Sequence, residues 1–362
     1  MTYTILIMAG GTGGHVFPGL AVANELKASG WQVVWLGTQA GMENRLVTQR
    51  GYLVETINFA GLRGKRVFTW LTLPLRLLKA FKQSLDILRR VQPDVVLGMG
   101  GYPAFPGGMM AALLNKPLLI HEQNSVPGLT NRVLAKLADK VILGFPAKIK
   151  ADEGKVIVAG NPVRQEIATL DAPEKRFSGR TGPLRLLVIG GSLGAQILNT
   201  VVPQALQKIP QDRRPVVVHQ TGEKNLSAVR QNYQAVGVTA QLMAFIDDMA
   251  GQYAVCDLVL CRAGALTVSE LAAAGVASIL VPYPYAVDDH QTGNARFLSD
   301  HQAAILLPQN ELSFDRLAAL LESLTREKLR VMANTARNKA IPDAAQRVAQ
   351  ICRQLCGDTK GA

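Results

Sequence analysis

Residues 8–19 read MAGGTGGHVFPG, and the fold turns on how they are read. Before them, residues 4–10 read TILIMAG, a short apolar run that ends in glycine. After them, residues 20–30 read LAVANELKASG, with the apolar spacing of a helix that closes at Gly30. Gly10, Gly11, Gly13 and Gly14 therefore join a strand to a helix, with His15 directly behind them. Glycines at such a junction let the backbone approach a ligand. The helix that follows offers unpaired N–H groups and the positive end of its dipole. Three readings are open: a dinucleotide loop, a phosphate cradle of another kind, or a tight turn. The loop is no P-loop, because the GK[ST] ending is missing. Nor does it complete a dinucleotide fingerprint. The second strand, WQVVWLG at residues 31–37, runs on into Thr38 and Gln39 with no acidic residue to bind a ribose diol.

The pattern returns. Residues 183–199 read PLRLLVIGGSLGAQILN: apolar strand, Gly-Gly, small polar residue, Gly, helix. Its loop starts at Gly190, 180 positions after Gly10. Further apolar runs end in polar or glycine-rich turns, at PDVVLGMGG (93–101), KPLLIHEQN (116–124), KVIVAG (155–160), RPVVVHQTG (214–222), AQLMAFI (240–246), DLVLCRAG (257–264) and ASILVPYP (277–284). Strands alternating with helices predict parallel sheets covered on both faces. The expected architecture is α/β, with two similar domains, residues 1–160 and 161–342, facing each other across a cleft. A last helix near residues 343–356 is expected to pack back on the first domain. Ligands of such sheets gather beyond the carboxyl ends of the strands. In the first half those ends are MAGGTGGH, GMGGYP and HEQNSVPG.

Length supports two domains, since 362 residues exceed the ~250–300 that a single core sustains. With 48% hydrophobic and 18% charged residues, the chain is no disordered polymer. The net charge of +12 is uneven: residues 1–160 carry 18 Lys/Arg against 9 Asp/Glu, the remainder 21 against 18. The first half is thus expected to meet something anionic. Cys256, Cys261, Cys352 and Cys356 lack metal-ligand spacing, so reduced thiols are expected rather than a zinc site. No basic leader precedes the first strand, which argues against a secreted protein. No uninterrupted apolar run reaches the ~18 residues of a spanning helix.

Two further strings carry candidate chemistry. In CRAGALTVSELAAAG (261–275), a strand ends at Arg262 and a helix begins after Gly264. Backbone N–H groups near Leu266 and Thr267 suit a diphosphate, and Glu270 suits a ribose diol, or is a solvated helix carboxylate. In DDHQTGNA (288–295), amides and carboxylates open a helix, where they suit sugar hydroxyls or simple N-capping.

Taken in order, GGTGGHVFPGLAVA, GMGGYPAFPGG, HEQNSVPGLTNR, GNPVR, GGSLGA, CRAGALTVSELAAAG and DDHQTGNA resemble the MurG family of glycosyltransferases, from residue 8 to about 297. The resemblance implies a GT-B fold of two Rossmann-like domains. It implies transfer of GlcNAc, with inversion, from UDP-GlcNAc to the MurNAc 4-hydroxyl of undecaprenyl-diphospho-MurNAc-pentapeptide (lipid I), giving lipid II for peptidoglycan. Donor contacts carried over by motif are Thr12, Gly13, Gly14, Asn124, Arg164, Ser192, Ile246 (at the uracil), Ala265, Leu266, Thr267, Val268, Ser269, Glu270 (at the ribose) and Gln291 (at the sugar). The location implied is the cytoplasmic face of the inner membrane, as a peripheral protein. Other cell-wall synthesis proteins are implied as partners, and nucleic acid is not. The loops of GYPAFPGG and HEQNSVPG depart from the family pattern at some positions, which bears on the acceptor side.

The residues agree with that chemistry. Transfer needs a base for the acceptor hydroxyl and positive charge or dipoles for the leaving diphosphate. No D-x-D sequence occurs, so no metal or other cofactor is expected in donor binding. Helix N-termini and Arg164 are the expected stabilisers. His15 is the candidate base, the alternative being a structural or phosphate-positioning role; Glu122 is a second candidate, or a buried hydrogen-bonding partner. Residues 61–90 hold eight Lys/Arg and one Asp among many apolar side chains. Trp70, Leu77, Lys79, Phe81 and Lys82 there are expected to form an anionic-membrane patch, the alternative being a helix packed on its own core. Two other functions stay open: a related GT-B transferase or epimerase with another UDP-sugar or acceptor, and a non-catalytic sugar-nucleotide-binding module.

Overall fold

The computed structural model describes residues 2–59 and 72–357. The chain divides into two compact units, Met1–Arg164 with Ile341–Ala362, and Gln165–Ala340. The division falls after the GNPVR string rather than before it, so Asn161 and Arg164 belong to the first unit. The reason is local: Asn161 Nδ2 donates to the Gln123 carbonyl at 3.0 Å, which ties the string to the first sheet.

The first unit holds strands β1 (Thr4–Ala9), β2 (Gln32–Thr38), β3 (Leu53–Ile57), β4 (Val95–Gly100), β5 (Leu118–Glu122), β6 (Lys140–Leu143) and β7 (Val156–Val158). They lie in the order 3-2-1-4-5-6-7. Each pairing is parallel. The order reverses between β1 and β4, which opens a crevice at their carboxyl ends. β1 explains its own apolar run. Ile5, Ile7 and Ala9 face one core, Leu6 and Met8 the other, so each face of the strand is covered.

The helix Ala344–Leu355 belongs to this unit, not to the second. It packs against the helix Gly13–Ala28. Val348, Ala349 and Cys352 enter the same core as Ile5 and Trp35. Between β3 and β4 runs the helix Leu73–Val91, which buries Ala80, Ser84, Ile87 and Leu88, a helical stripe at spacings of three and four.

The second unit holds β8 (Arg185–Ile189), β9 (Val216–Gln220), β10 (Gln241–Met243), β11 (Leu258–Cys261), β12 (Ser278–Leu280) and β13 (Ile305–Leu306). Their order, 10-9-8-11-12-13, repeats the plan of the first sheet, with the reversal between β8 and β11. The helices Phe314–Ser323 and Arg326–Asn338 lie here, against Gln196–Lys208 and Ala265–Ala274.

The polar stretch before β8 does structural work. It contains the short helix Pro173–Phe177, from which Arg176 is buried. Its guanidinium donates to the carbonyls of Asp171, Tyr253, Ala274 and Gly275. Two of those carbonyls end the helix Ala265–Ala274, where a cation meets the negative end of the dipole. Asp257, 1% exposed, pairs with Arg180 at 2.7 Å and Arg326 at 3.3 Å. All four cysteines are free thiols. Burial pushes Cys256 and Cys352 up to about 12, which keeps them protonated and inert.

Candidate active site

In the first unit, the loop Gly10–Thr12 leaves β1 at the reversal of strand order. Its shape is set from below by Glu43, which is fully buried. The Glu43 carboxylate accepts from Gly11 N at 3.3 Å, Thr38 N at 2.8 Å and Thr38 Oγ1 at 2.7 Å. Gly10, Gly37 and Gly41 close around it, and a Cβ on any of them would strike its side chain. The loop thus spends one N–H on an internal carboxylate. The sequence reading missed Glu43; the signal was an acid five residues past the end of β2, among glycines.

His15 lies in the first turn of the next helix, half-buried. Its ring rests on Gly100, where a Cβ would stand 2.9 Å from Cε1 and Nδ1. His15 Nδ1 is 3.0 Å from Gln123 Oε1. Gln123 Nε2 donates to the Met99 carbonyl at 2.8 Å and lies 3.2 Å from His121 Nδ1. His121 Nε2 is 3.0 Å from the Gly160 carbonyl. Burial lowers His121 to about 4, so it stays neutral.

Glu122, at the end of β5, is 2% exposed. One oxygen accepts from Asn124 N at 2.9 Å and Asn124 Nδ2 at 3.2 Å. The other accepts from Gly128 N at 3.0 Å and Asn131 Nδ2 at 2.8 Å. Four donors fill the carboxylate, so Glu122 folds the HEQNSVPG loop and is poorly suited to take a proton. Asn124 is spent on the same task from the other side. Thr12 is exposed and Gly13 and Gly14 half-exposed at the helix start.

In the second unit, a cavity of about 720 Å³ opens at the matching place. The loop Gly190–Ala195 forms one wall, with Ser192 at its exposed tip. Arg262, Gly264 and Thr267 form another, and Tyr283, Tyr285, Gln291 and Gln309 a third. Gly194 has φ +75, and a Cβ there would overlap the Thr221 carbonyl, so the loop turns only on glycine. Gln220 joins two segments: Nε2 donates to Gly191 O at 2.8 Å, and Oε1 accepts from Ile246 N at 2.9 Å. Ile246 is itself buried.

The six residues from Ala265 to Glu270 do not act alike. Helical geometry turns them to different sides. Thr267 lines the cavity, while Val268 is fully buried with its N–H bonded to Gly264 O at 2.9 Å. Ser269 Oγ donates to Ala265 O at 3.0 Å. Only the first N–H groups of this helix, from Ala265 to Thr267, lack an intrahelical acceptor by geometry. The Val268 side chain thus faces the core, and the Ser269 hydroxyl bonds back into its own helix. Glu270 is 6% exposed, with the Tyr253 hydroxyl 3.4 Å from Oε2. Gln291 lines the cavity, its Oε1 accepting from Tyr283 N at 2.9 Å.

Arg262 was the clearest omission. It stands one residue past the end of β11. Its guanidinium donates to Val281 O, Pro282 O and Gln309 Oε1, and lies 5.3 Å from the Tyr283 ring centroid. A cation at the carboxyl end of a strand beside the reversal point was the available signal.

The basic, apolar segment is only partly within the described residues: Trp70 lies outside them. Leu77 and Phe81 are half-buried, and Phe81 packs on Phe105 with ring centroids 6.0 Å apart. Lys79 and Lys82 are exposed. The exposed apolar side chains are Leu75 at 71% and Leu78 at 64%. Among the described residues, no helix is long and apolar enough to cross a membrane. Nor do three or more His, Cys, Asp or Glu side chains cluster there as metal ligands would.

Known proteins match the whole chain. Residues 5–143 match the glycosyltransferase family 28 N-terminal domain, and residues 185–348 the C-terminal domain of the same family. A protein of Nitrosospira multiformis is 63% identical over 355 residues, 98% of this chain and 99% of its own. One of Nitrosomonas europaea is 62% identical over 357 residues, 99% of this chain and 100% of its own. Both are named UDP-N-acetylglucosamine--N-acetylmuramyl-(pentapeptide) pyrophosphoryl-undecaprenol N-acetylglucosamine transferase. The crystal structure of Acinetobacter baumannii MurG superposes with a TM-score of 0.83 at 39% identity, covering 97% of this chain and 99% of that one.

Proposed function

The chain belongs to glycosyltransferase family 28, and we infer that it moves N-acetylglucosamine from UDP-N-acetylglucosamine to lipid I, giving lipid II. The observation that carries this reading is the likeness, over 98–99% of the chain, to transferases of that name.

The chemistry follows from the two crevices. The acceptor 4-hydroxyl oxygen attacks the anomeric carbon of the donor sugar as the bond to the diphosphate breaks. The hydroxyl proton passes to a base, and UDP departs with the bonding electron pair. We assign the base to His15, whose ring is fixed by Gly100 and Gln123. Glu122 is set aside, since its lone pairs are occupied. The donor's diphosphate is assigned to the second-unit cavity. There the Gly190–Ala195 loop and the first N–H groups of the helix Ala265–Ala274 meet its charge, with Arg262 adding a cation. Arg164 lies in the first unit and is not among the residues that line this cavity. These groups support a reaction without a metal. The helix Leu73–Val91 supports docking on an anionic membrane surface, through Leu75 and Leu78 flanked by Lys79 and Lys82.

His15→Ala is the test. Transfer to a lipid I analogue should fall by about 100-fold or more, the scale of a lost general base, while UDP binding by calorimetry holds. Full transfer in that variant would remove His15 from the role. Equal turnover of UDP-glucose would sink the specificity for GlcNAc. Loss of transfer in EDTA, restored by a divalent cation, would overturn the metal-free reading.

A further inference from the structure

A neutral histidine can serve as a base only at the nitrogen that lacks a proton. Which nitrogen that is depends on what the other one touches. His15 Nδ1 meets Gln123 Oε1 at 3.0 Å, so the orientation of one amide decides the matter. That orientation is fixed by backbone carbonyls. Gln123 Nε2 lies 2.8 Å from the Met99 carbonyl and 3.3 Å from the His121 carbonyl. A carbonyl oxygen only accepts, so the amide nitrogen must face them. A flipped amide would set oxygen against oxygen in a buried site, since Gln123 is 2% exposed. Oε1 therefore faces His15, and an amide oxygen can only accept there.

The same logic continues behind Gln123. His121 Nδ1, 3.2 Å from the amide nitrogen, must accept. His121 Nε2 must then carry the proton and donate to the Gly160 carbonyl at 3.0 Å. The ring protons of His121 and His15 then each have one place to be. His121 is fully buried and neutral, so it offers no competing charge. Asn161 completes the frame by donating to the Gln123 carbonyl.

We infer that Gln123 is a positioning residue that sets the tautomer of His15, holding the proton on Nδ1 and keeping the Nε2 lone pair for the acceptor hydroxyl. The catalytic consequence rests on the reading of His15 as the base; the tautomer itself does not. His121 and the Gly160 carbonyl extend the device by holding the amide in its single orientation. Gly100 gives the ring its seat, since any side chain there would displace it.

The experiment uses the full chain labelled with ¹⁵N-histidine, read by long-range ¹H–¹⁵N correlation at mildly alkaline pH. The chain has five histidines, and His15→Gln identifies the signals of His15 by their loss. Native His15 should read as the Nδ1–H tautomer. Gln123→Met removes the acceptor, and His15 should shift toward Nε2–H. In that variant kcat should fall by about 10²-fold or more, the cost of a misassigned base, with KM for UDP-GlcNAc within about twofold. Native His15 found as Nε2–H overturns the proposal without any variant, so poor folding of Gln123→Met leaves it testable. An unchanged tautomer in a folded Gln123→Met overturns it as well. A shifted tautomer with unchanged kcat removes its catalytic meaning. Full transfer by His15→Ala would defeat the base assignment instead, and would leave the tautomer result standing.

Discussion

At the scale of single residues, both candidate sites are framed by buried groups whose polar atoms are engaged within the protein. Glu43, Glu122, Gln123 and Gln220 each spend their polar atoms on holding a loop. Buried polar groups of this kind are worth keeping only when each is satisfied, and then they fix one conformation. Gly100 is the sharpest case. Its φ is +100, and its missing side chain is the space that His15 occupies. Gly100→Ala should therefore cost activity well beyond its effect on folding. Displacing a catalytic group by about 1 Å costs on the order of 100-fold, and a strained φ costs about 1–3 kcal/mol. Transfer rate and melting temperature, measured together, check this. A normal rate in Gly100→Ala would show that the His15 ring need not rest there.

At the scale of elements, the strand–loop–helix unit decides what each end can bind. The two glycine loops share a place in their sheets, yet their surroundings differ. The first backs onto Glu43 and carries His15; the second opens on a cavity walled by Arg262 and two tyrosines. The helix Leu73–Val91 is divided along its length. Toward its C-terminal half, Ala80, Ser84, Ile87 and Leu88 are core. At its start, Leu75 and Leu78 face outward. Leu75→Ser with Leu78→Ser should lower binding to vesicles containing anionic lipid by roughly 10-fold or more, the loss of two buried side chains at 1.5–3 kcal/mol each being an upper limit. Melting temperature should barely move. Phe81→Ser should destabilise the fold instead, because Phe81 rests on Phe105. Vesicle sedimentation that the double variant leaves unchanged would remove this helix from that role.

At the scale of the whole molecule, the chain order and the spatial order part company. The last helix, Ala344–Leu355, follows the second unit in sequence but completes the core of the first. A chain ending at residue 340 should leave the first core open along Val348, Ala349 and Cys352. Limited proteolysis of that truncation should cut within residues 1–164 while residues 165–340 resist. Equal resistance of both would show that the crossing helix is dispensable. Acid should reach both units. His121 in the first and His219 in the second are each lowered to about 4 by burial. The unfolded chain binds protons near 6.5, so each histidine costs stability as pH falls through that value. The loss grows until about pH 4 and then levels off, at roughly 3 kcal/mol per histidine. Denaturant midpoints measured from pH 7 to 4 should fall accordingly. A flat profile would mean that neither ring is held neutral.

Much was legible along the chain because it depends on neighbours in sequence. Apolar runs, glycine turns and helical spacing are local, and so the two repeated α/β units and both loops could be read directly. His15 stood out for the same reason, next to its loop. What could not be read were partnerships between distant residues. Glu122 carries the same carboxylate whether its lone pairs are open or filled by Asn124, Gly128 and Asn131. Val268 and Thr267 are adjacent, and only the helix's rotation sends one to the core and one to the cavity. Phe81 is half-buried against Phe105, a contact that its own stretch of sequence does not announce. The sequence by itself determined the strands, the turns and the family chemistry, because these follow from short-range pattern. Only the tertiary structure decided which polar groups were spent and which were left to act, because hydrogen-bond satisfaction depends on residues that meet in space, such as His15 and Gln123, 108 positions apart.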